Sequence, residues 1–298
     1  MSLLDTLFAA APPDVSVWWL GDPEAQDSDR VGGKAANLSR LAADWPVPRG
    51  FCLAARLHGR IRAGEIGSAA VRRLVREPYH ELCGGWWRRE PVAVRSSAVD
   101  EDSADASFAG QHDTVLNVVG VRALADAVLR CCASAESDGA RAYREAHGLA
   151  SEGRMAVLVQ RLIDADVSGV VFSADPISGS RDEVMINASW GLGEAVVDGR
   201  VTPDTVVVSR SDLAPVRRHV ATKDIEVRRD RGGGTRTVDV PEQRQDVPAL
   251  TDAQTREVAS MAVQLEEQMG WPVDVEWCYR DGEVFLLQCR PITSLTTS

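Results

Sequence analysis

Short apolar runs rich in β-branched residues alternate along the chain with longer stretches of helical period, a pattern that predicts a mixed α/β fold rather than an all-α or all-β one. The predicted strands are 91–95, 155–161, 169–173, 184–188, 204–209, 273–279 and 284–288. The clearest helix is 252–269, where Val258, Met261, Ala262, Leu265 and Met269 recur at helical spacing. Thr251 and Gln254 supply a capping box before it, and Gly270 and Pro272 close it. Strands 273–279 and 284–288 are joined through Asp281-Gly282, a strong hairpin signal. Period-two spacing then puts Asp274 with Glu276, and Gln288 with Arg290, on one face within each strand. Around 229–235 the sequence Arg-Asp-Arg-Gly-Gly-Gly-Thr predicts a surface loop or hairpin tip.

At 298 residues the chain is long enough for one large domain or two ordinary ones. Apolar residues make up 44% and charged ones 26%, which fits an ordered globular protein. The formal net charge of −11 argues against nucleic-acid or anionic-membrane partners, while leaving room for a local basic pocket. Six cysteines without a CxxC pair read as reduced core residues. The first residues lack a basic leader and carry Asp5, and no apolar run reaches membrane-spanning length, so a cytoplasmic location is expected.

Three stretches carry candidate chemistry. In Val31-Gly32-Gly33-Lys34-Ala35-Ala36-Asn37-Leu38, glycines let backbone approach a ligand, and a helix start with an ammonium favours an anion. The Walker A spacing is absent, and on residues alone this remains either an anion site or a common loop. The second stretch is a strand ending in Arg95, followed by hydroxyl and glycine residues through Thr114. Its arginine suits bidentate phosphate contact, or equally a pairing with Asp100, Glu101 or Asp102 on a solvated turn. Third, Glu276 and Gln288 offer hard oxygen ligands for Mg²⁺ beside Arg290, unless this is simply an exposed polar sheet face. No His/Cys grouping suggests zinc, no GxSxG elbow is present, and Gly191-x-Gly193 lacks the full dinucleotide fingerprint.

Taken in order, Gly32–Leu38, Val94–Ala98 with Ala106–Gly110, Gly169–Pro176, Ala188–Val197 and Leu287–Pro291 resemble the ATP-binding domain of the phosphoenolpyruvate synthase, pyruvate phosphate dikinase and rifampicin phosphotransferase family. The resemblance spans about residues 30 to 293. It implies an ATP-grasp fold with two lobes closing over a nucleotide cleft, the first lobe over 1–160 and the second over 161–298. It also implies that Lys34 and Arg95 hold ATP phosphates, that Gly110 and Thr114 lie in the loop covering them, and that Gln160 lies near the adenine. Glu276 and Gln288 would bind Mg²⁺ and nucleotide, and Arg290 would neutralise phosphate charge. Lys34, Arg95 and Arg290 are the expected catalytic groups.

The resemblance further implies a relay in which a phosphoryl group of ATP passes to a histidine on a separate swivelling domain, leaving AMP and phosphate. None of the five histidines lies in a segment like the family's phosphorylated histidine, and His112 reads as an ordinary loop residue. The expected partner is therefore a histidine-domain protein or a further C-terminal segment, with a small molecule as final acceptor. Two other readings stay open: a stand-alone kinase or ligase acting directly on a small molecule, and a non-catalytic nucleotide-binding module. The full set of Lys34, Arg95, Glu276, Gln288 and Arg290 counts against the last.

Overall fold

The computed structural model describes residues 16–99, 114–137, 139, 141, 154–176 and 178–293. They fall into two compact units. Described residues up to Leu162 form the first, except Leu41–Pro48, which joins the residues from Ile163 onward in the second.

The first unit is built on a five-stranded sheet in the order β1-β2-β5-β3-β4. Its strands are β1 (Val17–Trp19), β2 (Gly50–Leu53), β3 (Val92–Ala98), β4 (Thr114–Val118) and β5 (Met155–Arg161). Every neighbouring pair is antiparallel. The helices are α1 (Ser28–Leu41), α2 (Arg56–Arg62), α3 (Ser68–Leu82) and α4 (Val121–Ser134), with a 3-10 turn at Pro23–Gln26. Val71, Leu74 and Val75 of α3 and Leu124, Val128 and Cys131 of α4 share one core with Phe51, Leu53, Val92, Val94, Val157 and Val159 of the sheet. Those strand residues are two apart, so a single sheet face is committed to the helices.

The second unit holds a six-stranded antiparallel sheet, β13-β12-β6-β7-β8-β9, and a two-stranded one, β10-β11. These strands are β6 (Val167–Phe172), β7 (Glu183–Trp190), β8 (Asp204–Ser209), β9 (Pro215–His219), β10 (Ile225–Arg229), β11 (Thr235–Asp239), β12 (Val273–Arg280) and β13 (Glu283–Pro291). Short helices α5 (Glu194–Val197) and α6 (Glu242–Gln245) precede α7 (Asp252–Met269), which packs on β6 to β9 and on β12. The α7 capping box is formed as the sequence predicts, and Gly270 ends the helix in the left-handed region at φ 78°. The Arg229–Thr235 stretch is the tip of the β10-β11 hairpin. Gly191, at φ 76°, bridges to Val227, and a Cβ there would collide with the Val227 carbonyl oxygen, so only glycine lets the end of β7 meet β10.

The mixed class expected from the sequence is therefore present, with antiparallel strands throughout the described sheets. All six cysteines are buried and free. Burial pushes the Cys52 and Cys132 thiols up, the latter to about 12, which leaves both unreactive at neutral pH. Among the described residues no helix is long and apolar enough to cross a membrane.

Each unit contains a polar knot that ties separate segments together. In the first unit the Tyr79 hydroxyl donates to the Glu90 carbonyl at 2.9 Å and accepts from the Gly120 amide at 2.8 Å, tying α3 to the start of α4. In the second, Lys223 has no exposed surface and donates to Asp204 at 2.6 Å and to the Ala221 carbonyl at 2.8 Å. The other Asp204 oxygen accepts the Ala249 amide at 2.7 Å. Replacing Asp204 with alanine strands a buried ammonium, and we expect a loss of roughly 3–5 kcal/mol in urea denaturation. Tyr79→Phe should cost about 1–2 kcal/mol, since it leaves a half-buried amide and carbonyl unmatched. Burial raises the Tyr79 hydroxyl to about 12 from its ordinary 10. In the unfolded chain this proton leaves first, so the linked stability is full below pH 10 and is lost as pH rises from 10 towards 12. Denaturation curves at pH 9 and 11 should show a smaller loss in Tyr79→Phe than in the native chain, the remainder coming from the other groups that burial pushes up, Cys52, Cys132 and Tyr279.

Candidate functional site

In the first unit the site residues lie on the face of the sheet that the helices leave. Because Val92 and Val94 point into the core of α3 and α4, alternation turns Arg95 and Ser97 the other way. On β5, Val157 and Val159 join the core while Leu158 and Gln160 take the opposite face. The register places Cys52, Leu158, Arg95 and Thr114 in one cross-strand row and Gly50, Gln160 and Ala93 in the next. Arg95, Thr114 and Gln160, far apart in sequence, are thus brought onto one sheet face. Arg95 is 9% and Gln160 1% exposed, while Thr114 is exposed. A guanidinium this buried is not part of a solvated turn.

Lys34 is carried to the same sheet by α1. That helix is broken at Gly32, whose backbone sits at φ 75°, ψ 164°. A Cβ at Gly32 would run into the carbonyl and hydroxyl of Ser97, two residues beyond Arg95 on the same face of β3. The Ala35 amide, one turn into the resumed helix, donates to Ser97 Oγ at 3.2 Å. Gly32 is therefore needed for close approach to β3 itself, where the sequence suggested approach to a ligand. The helix start that bears Lys34 is docked beside the strand that bears Arg95.

In the second unit the β12-β13 hairpin turns through Asp281 and Gly282, both at positive φ, as a tight two-residue connection requires. The register pairs Asp274 directly with Arg290, and Glu276 directly with Gln288. Directly opposed residues share a face, so all four polar groups lie side by side. Val273 and Val275, fully buried, alternate onto the other face. A bulge between Glu276 and Trp277 ends this polar stretch and leaves Trp277 without exposed surface. Gln288 and Asp274 are only 4% and 7% exposed, so the face is not an open, solvated one.

Arg290 is held by Asp274 through two contacts of 2.8 Å, from Nε and from the terminal nitrogen NH2 to one oxygen, Oδ2. Burial raises the Asp274 carboxyl above its ordinary range; Arg290 pulls it down and Glu276 pushes it up further. Removing a buried carboxylate from water costs more than one guanidinium returns, so the pair is a positioning device rather than a source of stability. The row containing Glu276 and Gln288 continues through Val170 to Asn187 and Thr205, whose hydroxyl donates to the Asn187 side-chain oxygen at 2.9 Å. Asp274 was legible in the spacing, but its tie to Arg290 was not. Asn187 was missed because it is a single amide amid the apolar residues Val184, Met185, Ile186 and Ala188 of its strand. Gly110, His112 and the acidic residues 100–102 lie outside the described residues.

The family pattern described as "Pyruvate phosphate dikinase, AMP/ATP-binding domain" matches residues 54–298. Among curated relatives, a probable phosphoenolpyruvate synthase of Methanocaldococcus jannaschii is 36% identical over 93% of this chain and 26% of its own length. The phosphoenolpyruvate synthase of Pyrococcus furiosus is 34% identical over 93% of this chain and 44% of its own. A rifampicin phosphotransferase of Streptomyces sviceus is 38% identical over 89% of this chain and 34% of its own. The chain therefore spans between about a quarter and under half of the length of these relatives. A solved D-alanyl-alanine synthetase A from Vibrio cholerae aligns at 11% identity over 90% of this chain and 60% of its own, with a TM-score of 0.31, too low to define the fold. Five ordered motifs, a family match over most of the chain and identities of 34–38% agree, and the chain belongs to the AMP/ATP-binding domain family of pyruvate phosphate dikinase.

Proposed function

We propose that this chain binds Mg·ATP in an ATP-grasp arrangement of two lobes and transfers a phosphoryl group to a histidine on a separate domain or partner protein, releasing AMP and inorganic phosphate. What carries this reading is the β12-β13 register, which sets a carboxylate against an amide oxygen next to a carboxylate-held arginine, in a chain of an AMP/ATP-binding family. Phosphoryl transfer demands little covalent chemistry of the protein; it demands fixed positive charge and exclusion of water. Lys34 and Arg95 hold the phosphates, Gly110 belongs to the covering loop, Thr114 stands not in that loop but at the start of β4 opposite Arg95, and Gln160 recognises the adenine. Arg290, fixed in direction by Asp274, meets the charge that develops on the transferred group, with no reorganisation at the moment of reaction.

Glu276 and Gln288 are the protein oxygens that would hold magnesium. Two hard donors on neighbouring strands suit an ion that takes the rest of its shell from phosphates and water. When bound, the ion supplies charge neutralisation between phosphate oxygens. The relatives named above are phosphoenolpyruvate synthases and a rifampicin phosphotransferase, proteins that act on different final acceptors. The shared domain therefore supports a common ATP half-reaction, with the acceptor chosen elsewhere.

Incubation of the chain with Mg·ATP and a candidate histidine domain should yield AMP and phosphate in equal amounts; ADP as the sole nucleotide product would overturn the relay. Arg290→Ala should lower turnover by about 10²–10³-fold, as loss of one transition-state donor does, and Glu276→Ala, which removes a magnesium ligand, should lower it as well. Circular dichroism should stay native-like in both, with a lower melting temperature in Arg290→Ala because the buried Asp274 loses its partner. Lys34→Ala should weaken ATP binding in direct titration. Asp274→Asn is expected to cost about tenfold in kcat at little change in KM, since it loosens Arg290 without removing a phosphate contact; an unchanged kcat would deny Asp274 its positioning role.

A further inference from the structure

The helical side of the first unit carries a second concentration of positive charge, unrelated to the residues above. A cavity of about 1010 Å³ opens where α3 meets the start of α4. Arg72, Arg73 and Arg76 of α3, Arg89, and Arg122 of α4 line it, and Asp126 is the only carboxylate among the described lining residues. None of these five arginines forms an ion pair with a described residue. In the same unit Arg30, Arg49, Arg60 and Arg154 do, whereas Arg40, Arg56 and Arg88 are likewise without one; what sets the five apart is that they gather round one opening, Arg73 half-buried and the other four exposed. Arg72 and Arg76 stand one helical turn apart, a like-charge spacing that weakens a helix unless an anion intervenes. The Arg76 guanidinium lies 5.3 Å from the Trp86 ring centre, and Trp86 in turn stacks on His80 at 4.3 Å. Aromatic contact rather than a carboxylate holds that edge. Arg73 Nε and His80 Nδ1 are buried with no hydrogen-bond partner.

The floor of the cavity adds to the same charge. Gly120 begins α4 at φ 90° with no side-chain cap, and its own amide is taken by Tyr79. The first intrahelical bond runs from the Leu124 amide to the Gly120 carbonyl, so the amides of Val121, Arg122 and Ala123 have no acceptor within the helix, and all three residues line the cavity. Planar guanidinium forks and unclaimed amides at a helix start are the two groups that recognise phosphate oxygens best. The place is separate from the candidate nucleotide groups. α3 and α4 cover the Val92, Val94, Val157 and Val159 face, whereas Arg95 and Gln160 lie on the reverse.

We propose that this cavity is a binding site for a small phosphate-bearing anion. Such a ligand supplies the counter-charge that the surrounding residues lack, in a chain whose net charge of −11 otherwise repels it.

Inorganic pyrophosphate, without magnesium, is the probe. Calorimetric titration of the chain should show a binding event that the Arg73→Gln/Arg122→Gln double variant weakens at least tenfold and that the Arg95→Ala/Arg290→Ala variant retains. Inorganic phosphate should bind more weakly at the same place. Pyrophosphate should also slow amide hydrogen exchange at residues 121–123 of the unaltered chain, a readout that stands even if the double variant fails to fold. Unchanged affinity in the folded Arg73→Gln/Arg122→Gln variant, loss only in Arg95→Ala/Arg290→Ala, or no protection at 121–123 would each overturn the proposal. So would a poly-glutamate peptide that binds at these residues and is not displaced by pyrophosphate.

Discussion

A positive charge can sit on a largely buried sheet face only if something nearby answers it, and the Asp274–Arg290 pair shows how this chain meets that constraint. The two residues are cross-strand partners, so the register of one hairpin decides whether they meet. A slip of one residue would send all four polar groups to the side where Val273 and Val275 are buried. The Asp281-Gly282 turn, the bulge after Glu276 and the apolar alternation of β12 each pin that register. The strand pairing and the chemistry are therefore one specification: the residues that keep the core dry on one face keep the carboxylate, amide and guanidinium together on the other.

The first unit follows the same rule with different parts. Val94 and Val159 face the helices, and their neighbours Arg95 and Gln160 face away. The α1 break at Gly32 then docks the Lys34-bearing turn against Ser97. Each unit, taken by itself, is a sheet whose apolar face is claimed by helices and whose polar face gathers groups from distant parts of the chain. Among the Tyr79, Asp204 and Lys223 contacts, polar atoms well away from those faces find protein partners, which gives the sheets a rigid frame.

Strong periodicity made the long elements legible. The strand at 155–161, the strand at 204–209 and the helix at 252–269 agree with β5, β8 and α7 end for end, because burial on a sheet or a helix stripe leaves an apolar pattern with little competition. The strands that escaped are short or charged. Val17–Trp19 and Gly50–Leu53 have only three and four residues, Thr114–Val118 has five and is interrupted by Asn117 at positive φ, Pro215–His219 is an exposed edge rich in arginine, and Ile225–Arg229 with Thr235–Asp239 forms a polar hairpin whose only signal is its glycine-rich tip. Edge strands carry such residues to discourage pairing with other chains, and this erases the alternation by which a strand is recognised. Within the site, the Glu276, Gln288 and Arg290 grouping could be read from period-two spacing. The contact of Gly32 with Ser97 could not, since it joins residues 65 positions apart in the chain and depends on where the helix lands.

Described arginines of this chain differ in how their charge is answered. Arg290, Arg210 and Arg228 are each matched by a carboxylate at 2.8 Å, and their charge is spent inside the protein. The five around the α3-α4 cavity have no such match, and carboxylates are not scarce: the chain has 44 acidic residues for 33 basic ones. With acids in excess, a cluster of unmatched guanidinium groups is a feature of placement rather than of composition. Repulsion between Arg72 and Arg76, both exposed, opposes the helix that bears them by a few tenths of a kcal/mol, and a bound anion would relieve it more fully than solvent screening does. Where the protein fixes Arg290 with a carboxylate of its own, it leaves these five to be fixed by what they bind.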